Sequence, residues 1–435
     1  MSLLEDARAV VENGPVCDAC LGRQFADRSF GLTNAERGAA LRVSVELDDD
    51  EPHEDVATDD CWVCEGLCAT FDEWAERAVA ALSGDGESDV DFATYQVGTR
   101  APPLVEENEA LLRESAGLTE GGEPFKSEFN REVGKRVGEL TGTDVDFERP
   151  DVLFVLDIDD ESVDAQVNPA FVYGRYRKRS REIPQTEWPC RECNGTGRRG
   201  GEPCIHCDGT GYMYEESVEQ LVSPPILRAM EGDDSSFHGA GREDIDAKML
   251  GTGRPFVVEV KHPRDRFPDV DALEAEINES TEKVEVEGLR LAAYDMVERV
   301  KELDASKTYR ARVAFDEPVD ETEFEAALAE LDGATIEQDT PKRVSHRRAA
   351  KTRVREAYAV SGELEDETHA TVEIHGEGGL YIKELVSSDE GWTTPSLAGL
   401  LGTPCHVTEL DVLAVEGEAE SFEDPDYFRE APAER

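Results

Sequence analysis

The sequence predicts an α+β chain of several domains, with cysteine knuckles set between its larger elements. Three observations lead there. A length of 435 residues exceeds what one ordinary core needs. Strand-like runs, such as P-F-V-V-E-V at 255–260 and R-A-R-V-A-F at 310–315, are interspersed with helical ones such as 321–331. Eight of the ten cysteines fall in four C-x-x-C pairs.

Residues 1–70 hold Cys17/Cys20 and Cys61/Cys64 around a helical pattern, with Thr33-x-x-Glu36 as a capping box opening a helix at 34–42. Residues 71–183 mix helical spacing at 71–82 and 126–137 with strand patterns at 91–98 and 151–158, an α/β module. Residues 184–215 repeat C-x-x-C-x-G-x-G, as C-R-E-C-N-G-T-G and C-I-H-C-D-G-T-G. Residues 216–435 alternate strands and helices as an α+β domain with a central, mainly antiparallel sheet.

Two thiolates two residues apart grip one metal from a tight turn, and two such pairs complete a tetrahedral site. The expected zinc ligands are therefore Cys17, Cys20, Cys61 and Cys64 in one structural site, and Cys190, Cys193, Cys204 and Cys207 in the other. Cys68 is a substitute ligand with poorer spacing, and Cys405 reads as an ordinary buried thiol. A reducing cytosol disfavours disulfides.

Acidic residues number 99 against 45 basic ones, a formal charge of −54 spread along the chain. Such self-repulsion is screened when molar salt cuts the Debye length to roughly 3 Å, so the composition reads as adaptation to a salt-rich cytoplasm. Apolar residues at 39% in periodic patterns exclude a disordered chain. No apolar run approaches the roughly 20 residues of a membrane span, and the M-S-L-L-E-D-A-R start lacks a signal-peptide pattern, so a cytoplasmic location is expected. No obligate protein partner is evident. Against this acidity, 173–181 carries five cations and 342–355 seven, with no acid in either. Both islands are expected to meet phosphates, which makes polynucleotide the expected partner.

The most informative segment is 238–256, H-G-A-G-R-E-D-I-D-A-K-M-L-G-T-G-R-P-F. Arg242, Lys248 and Arg254 supply cations that hold a carboxylate ionised or bind phosphate. In an extended segment Asp244 and Asp246 point to one face, so spacing does not choose between them.

This segment resembles the G-R-x-D motif of pseudouridine synthases, in the extended form found in the archaeal and eukaryotic Pus-ten family of tRNA pseudouridine synthases. The resemblance implies Asp244 as the catalytic aspartate. Lys307-Thr308-Tyr309 resembles the K-x-Y motif, and Gly379-Leu380-Tyr381-Ile382-Lys383 resembles a G-x-Y-I-K/R motif whose cation pairs with that aspartate. Tyr309 is thereby implied to stack on a flipped uracil and to serve the later proton removal, with Tyr381 beside it. The segment 338–349 resembles a Q-R-T-P-x-R-V-x-H-R-R-A loop, with Asp339 replacing its arginine. Lys342, Arg343, His346, Arg347 and Arg348 remain as implied RNA contacts, together with Arg242. Residues 71–183 are similar to a THUMP domain, an RNA-binding module, and the second cysteine quartet to the DnaJ cysteine-rich region.

The implied reaction is isomerisation of uridines 54 and 55 in the T-arm of tRNA, which needs no organic cofactor. Methyltransferase or thiouridine synthetase activity, also found beside THUMP modules, fits poorly because no G-x-G-x-x-G follows a strand. A non-catalytic zinc RNA-binding or chaperone-like protein would explain the knuckles and leave the three ordered motifs unexplained.

Overall fold

Apolar and polar residues segregate in a computed structural model that describes residues 2–83, 90–118, 121–302, 305–344, 350–417 and 424–432. The chain divides into two compact units, Met1–Pro169 and Ala170–Arg435.

In the first unit the capping box forms as expected, Thr33 and Glu36 exchanging side-chain and backbone hydrogen bonds, and the helix it opens runs on over Asn34–Asp49. A four-stranded sheet follows, ordered β2-β1-β3-β4 with β1 Thr94–Arg100, β2 Asp144–Val145, β3 Val152–Asp157 and β4 Ser162–Val167. β1 is parallel to β2 and β3, and β4 antiparallel to β3. Phe129 of the helix Phe125–Thr141 meets Phe71 of the helix Phe71–Ala80 edge-on, with centroids 5.3 Å apart. One apolar cluster runs from Ala7 through Cys20, Phe71 and Phe129 to Ile158. The boundary expected at 70/71 therefore lies inside a shared core: the cysteine module and the α/β module bury their apolar faces against each other.

The second unit is built on a ten-stranded sheet among the described residues, ordered β10-β5-β9-β16-β11-β14-β13-β12-β15, with β8 paired to β9. Its strands are β5 Ala170–Lys178, β8 Asp234–Gly239, β9 Ala247–Lys261, β10 Val284–Ala292, β11 Ala305–Phe315, β12 Thr335–Gln338, β13 Arg353–Asp366, β14 His369–Gly376, β15 Thr393–Thr394 and β16 Cys405–Gly417, while β6 Arg198–Arg199 and β7 Glu202–Pro203 form a separate hairpin. Only β9 and β16 run parallel among these pairs, so the sheet is mainly antiparallel, as the alternating segments predicted. Among the described residues no helix is long and apolar enough to cross a membrane.

The boundary expected at 183/184 falls elsewhere. Residues 170–178 form β5, hydrogen-bonded between β9 and β10. The basic island they carry was expected to meet phosphate, and the fold uses it internally. Arg175 donates to the carbonyls of Thr252, Gly253 and Val415, Arg177 and Arg179 pair with Glu285, and Arg181 with Glu409 and Asp411. Lys178 is fully buried.

Candidate active site and cysteine centres

The G-R-E-D segment is the connection between β8 and β9. Gly239 pairs with Phe256 at the end of one strand, Ala247 pairs with Leu410 of β16 at the start of the next, and 240–246 must turn between them. The Ala247 amide donates to the Asp244 carbonyl at 3.0 Å, so this stretch is a turn. Strand alternation therefore does not place the two aspartates, and of the two it is Asp244 that lines the cavity beneath.

Buried polar groups hold that turn from behind. Glu243 and Arg254 form an ion pair of 2.9 Å with both side chains 1% exposed. The Tyr176 hydroxyl donates to Glu243 at 2.9 Å, and Gln185 Nε2 donates to Tyr176 Oη and to the Gly241 carbonyl. Arg254 also donates to the Ala240 carbonyl at 2.6 Å, and Lys178 to the Asp244 and Ile245 carbonyls at 3.3 and 2.8 Å. Burial pushes the Lys178 ammonium below its usual range. These buried contacts tie the turn to the strands behind it and restrict its position.

In front, Asp244 faces a cavity of about 220 Å³ lined also by Tyr309, Leu380, Tyr381, Leu410 and Val412. Arg343 Nη1 lies 2.9 Å from Asp244 Oδ2, while Arg343 Nε lies 2.6 Å from the buried Glu384. Lys383 Nζ is 3.4 Å from Asp244 and 2.8 Å from Asp246. Partial burial opposes ionisation of Asp246, but Lys383 overrides this and holds its carboxyl below the usual value. The cation expected to pair with Asp244 is thus shared, and Arg343, expected on RNA, is the nearer partner. Loss of solvation, reinforced by the Asp244 charge, pushes the Tyr309 hydroxyl up to about 12, so it is neutral near pH 7.

Tyr381 caps the helix Ile382–Ser387. Its peptide is clasped by the buried Gln338, whose amide donates to the Tyr381 carbonyl and accepts from its N–H, both at 2.9 Å. Lys342 lies over the Trp392 ring and pairs with Glu390. Arg242 lies over the Trp188 ring, 5.1 Å from its centroid. His346, Arg347 and Arg348 lie outside the described residues.

Glu243, Tyr176, Gln185, Gln338 and Glu384 were missed as site residues. Their signal is a buried partner far off in the chain, which local spacing does not carry. In the first unit, the helix cations Arg131, Lys135 and Arg136 are paired with Glu123, Glu132 and Asp72.

The cysteine groups close as four-thiol clusters. Cys190, Cys193, Cys204 and Cys207 lie within 4.8 Å of one another and are all buried. The Cys190–Cys204 and Cys193–Cys207 sulfur separations are 4.0 and 3.8 Å. A tetrahedron with metal–sulfur bonds of roughly 2.3 Å has edges of about 3.8 Å, so the donor set fits a metal ion. The two knuckles cross at glycine: a Cβ on Gly197 would sit 2.3 Å from the Gly209 carbonyl oxygen, and one on Gly211 2.3 Å from that of Gly195.

The first group corrects an expectation. Its members are Cys17, Cys20, Cys64 and Cys68, with Cys61 buried nearby and not among them. A turn through Glu65 and Gly66, both at positive φ, leads into a short 3-10 helix, Leu67–Ala69, which carries Cys68 back to 3.9 Å from Cys20. The buried Arg23 donates to Cys20 Sγ at 2.9 Å.

Fold, motif order and relatives together define an isomerase of the pseudouridine synthase class. The family model "Pus10, C-terminal" matches residues 171–416, and "Pus10 THUMP domain, archaeal" matches 74–157. The tRNA pseudouridine synthase Pus10 of Halorubrum lacusprofundi is 64% identical over 99% of this chain and 100% of its own. That of Methanothrix thermoacetophila is 43% identical over 95% of each, and that of Pyrococcus furiosus 38% over 95% and 98%. The chain belongs to the Pus10 family of tRNA pseudouridine synthases. Among solved structures, a Cbf5-Nop10-Gar1 complex is 19% identical over 46% of this chain and 45% of that one, at a TM-score of 0.29, too slight a likeness to carry an argument.

Proposed function

We propose that this chain isomerises uridines 54 and 55 in the T-arm of tRNA, with Asp244 opening the reaction. The observation that carries this is the placement of Asp244: it alone of the two aspartates lines the cavity, between Arg343 and Lys383 and beside Tyr309. The uridine leaves its stack and enters against the Tyr309 ring. The Asp244 carboxylate, faced by Arg343 and Lys383, initiates cleavage of the bond between uracil N1 and sugar C1′. The detached uracil turns and rejoins C1′ through C5, and the proton on C5 is lost as N1 regains one, so composition is unchanged. A Tyr309 hydroxyl pushed up to about 12 is a poor direct base and a good positioner of water.

A salt-rich cytoplasm is the location that fits this activity, and the acidic composition and the Halorubrum relative support it. The domains we assign are a joint cysteine and THUMP unit to residue 169 and a catalytic unit from 170, with the second cysteine hairpin inserted in it. Carbodiimide mapping of an unmodified tRNA transcript, incubated with the protein in molar potassium chloride, tests the activity. Pseudouridine at 54, 55 or both is the expected result. Its absence with folded, tRNA-binding protein would favour a non-catalytic RNA-binding role.

Both cysteine groups take zinc in this reading, and the ion's contribution is to fix the knuckles in place. Cys68→Ser is expected to lower the zinc content by about one ion per chain, and Cys61→Ser to leave it unchanged. Metal analysis of the two purified variants decides it, and the reverse pattern would restore Cys61 as the ligand.

A further inference from the structure

A second cleft, of about 430 Å³, shares Arg242 with the catalytic cavity. Its volume lies within the roughly 300–1,000 Å³ typical of small-ligand pockets. The cysteine hairpin builds it. Trp188 stands just before the first knuckle and Tyr214 just after the second, and the hairpin closes on itself between them, with Pro189 bridged to Tyr212 and the Met213 amide donating to the Trp188 carbonyl at 2.9 Å. The two rings meet edge-on with centroids 5.5 Å apart. Glu187, Pro189, Arg191, His206 and Met213 line the rest of it.

The chemistry of this wall is selective. Aromatic faces and planar guanidinium groups are what unstacked bases lie against. Arginine over an aromatic ring recurs here as Arg242 on Trp188, in a chain whose net charge of −54 leaves few cations unassigned. Glu187 offers a carboxylate to a base amino or imino N–H. Because Arg242 lines both, an occupant of this cleft would lie one side chain away from the catalytic cavity.

We propose that this cleft receives a second base of the RNA substrate, from the strand flanking the flipped uridine, and that the cysteine hairpin serves to fix the two touching aromatic rings as one wall for it. The proposal rests on the reading of the chain as a tRNA isomerase. It gives the metal a role in substrate recognition without a role in the reaction, since the ion fixes the knuckles from which Trp188 and Tyr214 project.

The test uses the full chain, an unmodified tRNA transcript and molar potassium chloride. Trp188→Ala and Tyr214→Ala are each expected to raise the tRNA Kd about tenfold, the scale of one lost base stack, and Trp188→Phe to restore most of it. Zinc content, measured alongside, distinguishes a lost wall from a collapsed hairpin, and two independent alanine variants keep the result decisive if one of them unfolds. Affinity within twofold of wild type in a zinc-replete alanine variant would overturn the proposal, leaving the cleft to a protein partner. Failure of the wild-type chain to bind or isomerise the transcript would instead sink the parent reading and this proposal with it.

Discussion

Asp244→Asn protein is expected to leave uridines 54 and 55 unconverted while binding tRNA within a few-fold of wild type. The amide matches the carboxylate in size, so the cavity, the turn and the lysine and arginine facing it keep their places. What disappears is the negative charge that initiates bond cleavage. A rate loss of more than about a thousandfold is expected, some 4 kcal/mol of barrier at roughly 1.36 kcal/mol per decade. Asp246→Asn is the control. Its side chain is 67% exposed and does not line the cavity, touching it only through Lys383, so the rate should fall by no more than about tenfold, the scale of one lost charged contact. Time courses of pseudouridine formation on one transcript compare the two, and equal losses would remove the distinction drawn between them.

Glu243→Gln is expected to cost about 3–5 kcal/mol of stability and most of the activity, because it leaves the Arg254 guanidinium buried without a counter-charge. The pair is 1% exposed on both sides, so molar salt, which screens the surface, gives it little relief. The double variant Glu243→Gln with Arg254→Met should regain much of the stability, since the penalty belongs to the orphaned charge. It should not regain the rate, because Arg254 also holds the Ala240 carbonyl at the head of the catalytic turn. Urea unfolding in molar potassium chloride, run beside the rate assay, separates the two effects. A Glu243→Gln protein as stable as wild type would show that the pair does not carry the turn.

Much of this architecture is legible in sequence because it is local. Strand periodicity, the Thr33 capping box and the C-x-x-C pairs at Cys17/Cys20, Cys190/Cys193 and Cys204/Cys207 all concern neighbours a few residues apart, and these form as their spacings predict. The class of protein is legible for another reason: three motifs recur in one order. What escapes is decided across distance. Lys178 in a run of cations reads as an RNA contact until β5 is inserted between β9 and β10 and turns it inward. Glu243 shows no role in local spacing, because its partner, Arg254, stands eleven residues on and meets it only when the strand folds back. Cys61 has the better spacing for a ligand, but a two-residue turn at positive φ delivers Cys68. Arg343 carries the same charge whether it meets phosphate or Asp244, and only the fold says which.

The strand nearest the end of the catalytic sheet in sequence lies at its middle in space. β16 joins β9 on one side to β11 on the other, and it also supplies Leu410 and Val412 to the cavity. Among the described residues β16 alone provides strand pairing between β5, β8, β9 and β10 on one side and β11 to β15 on the other. A chain lacking residues 405–417 is therefore expected to lose the strand that joins the two sets, and with it the Leu410 and Val412 wall of the cavity that Asp244 and Tyr309 share.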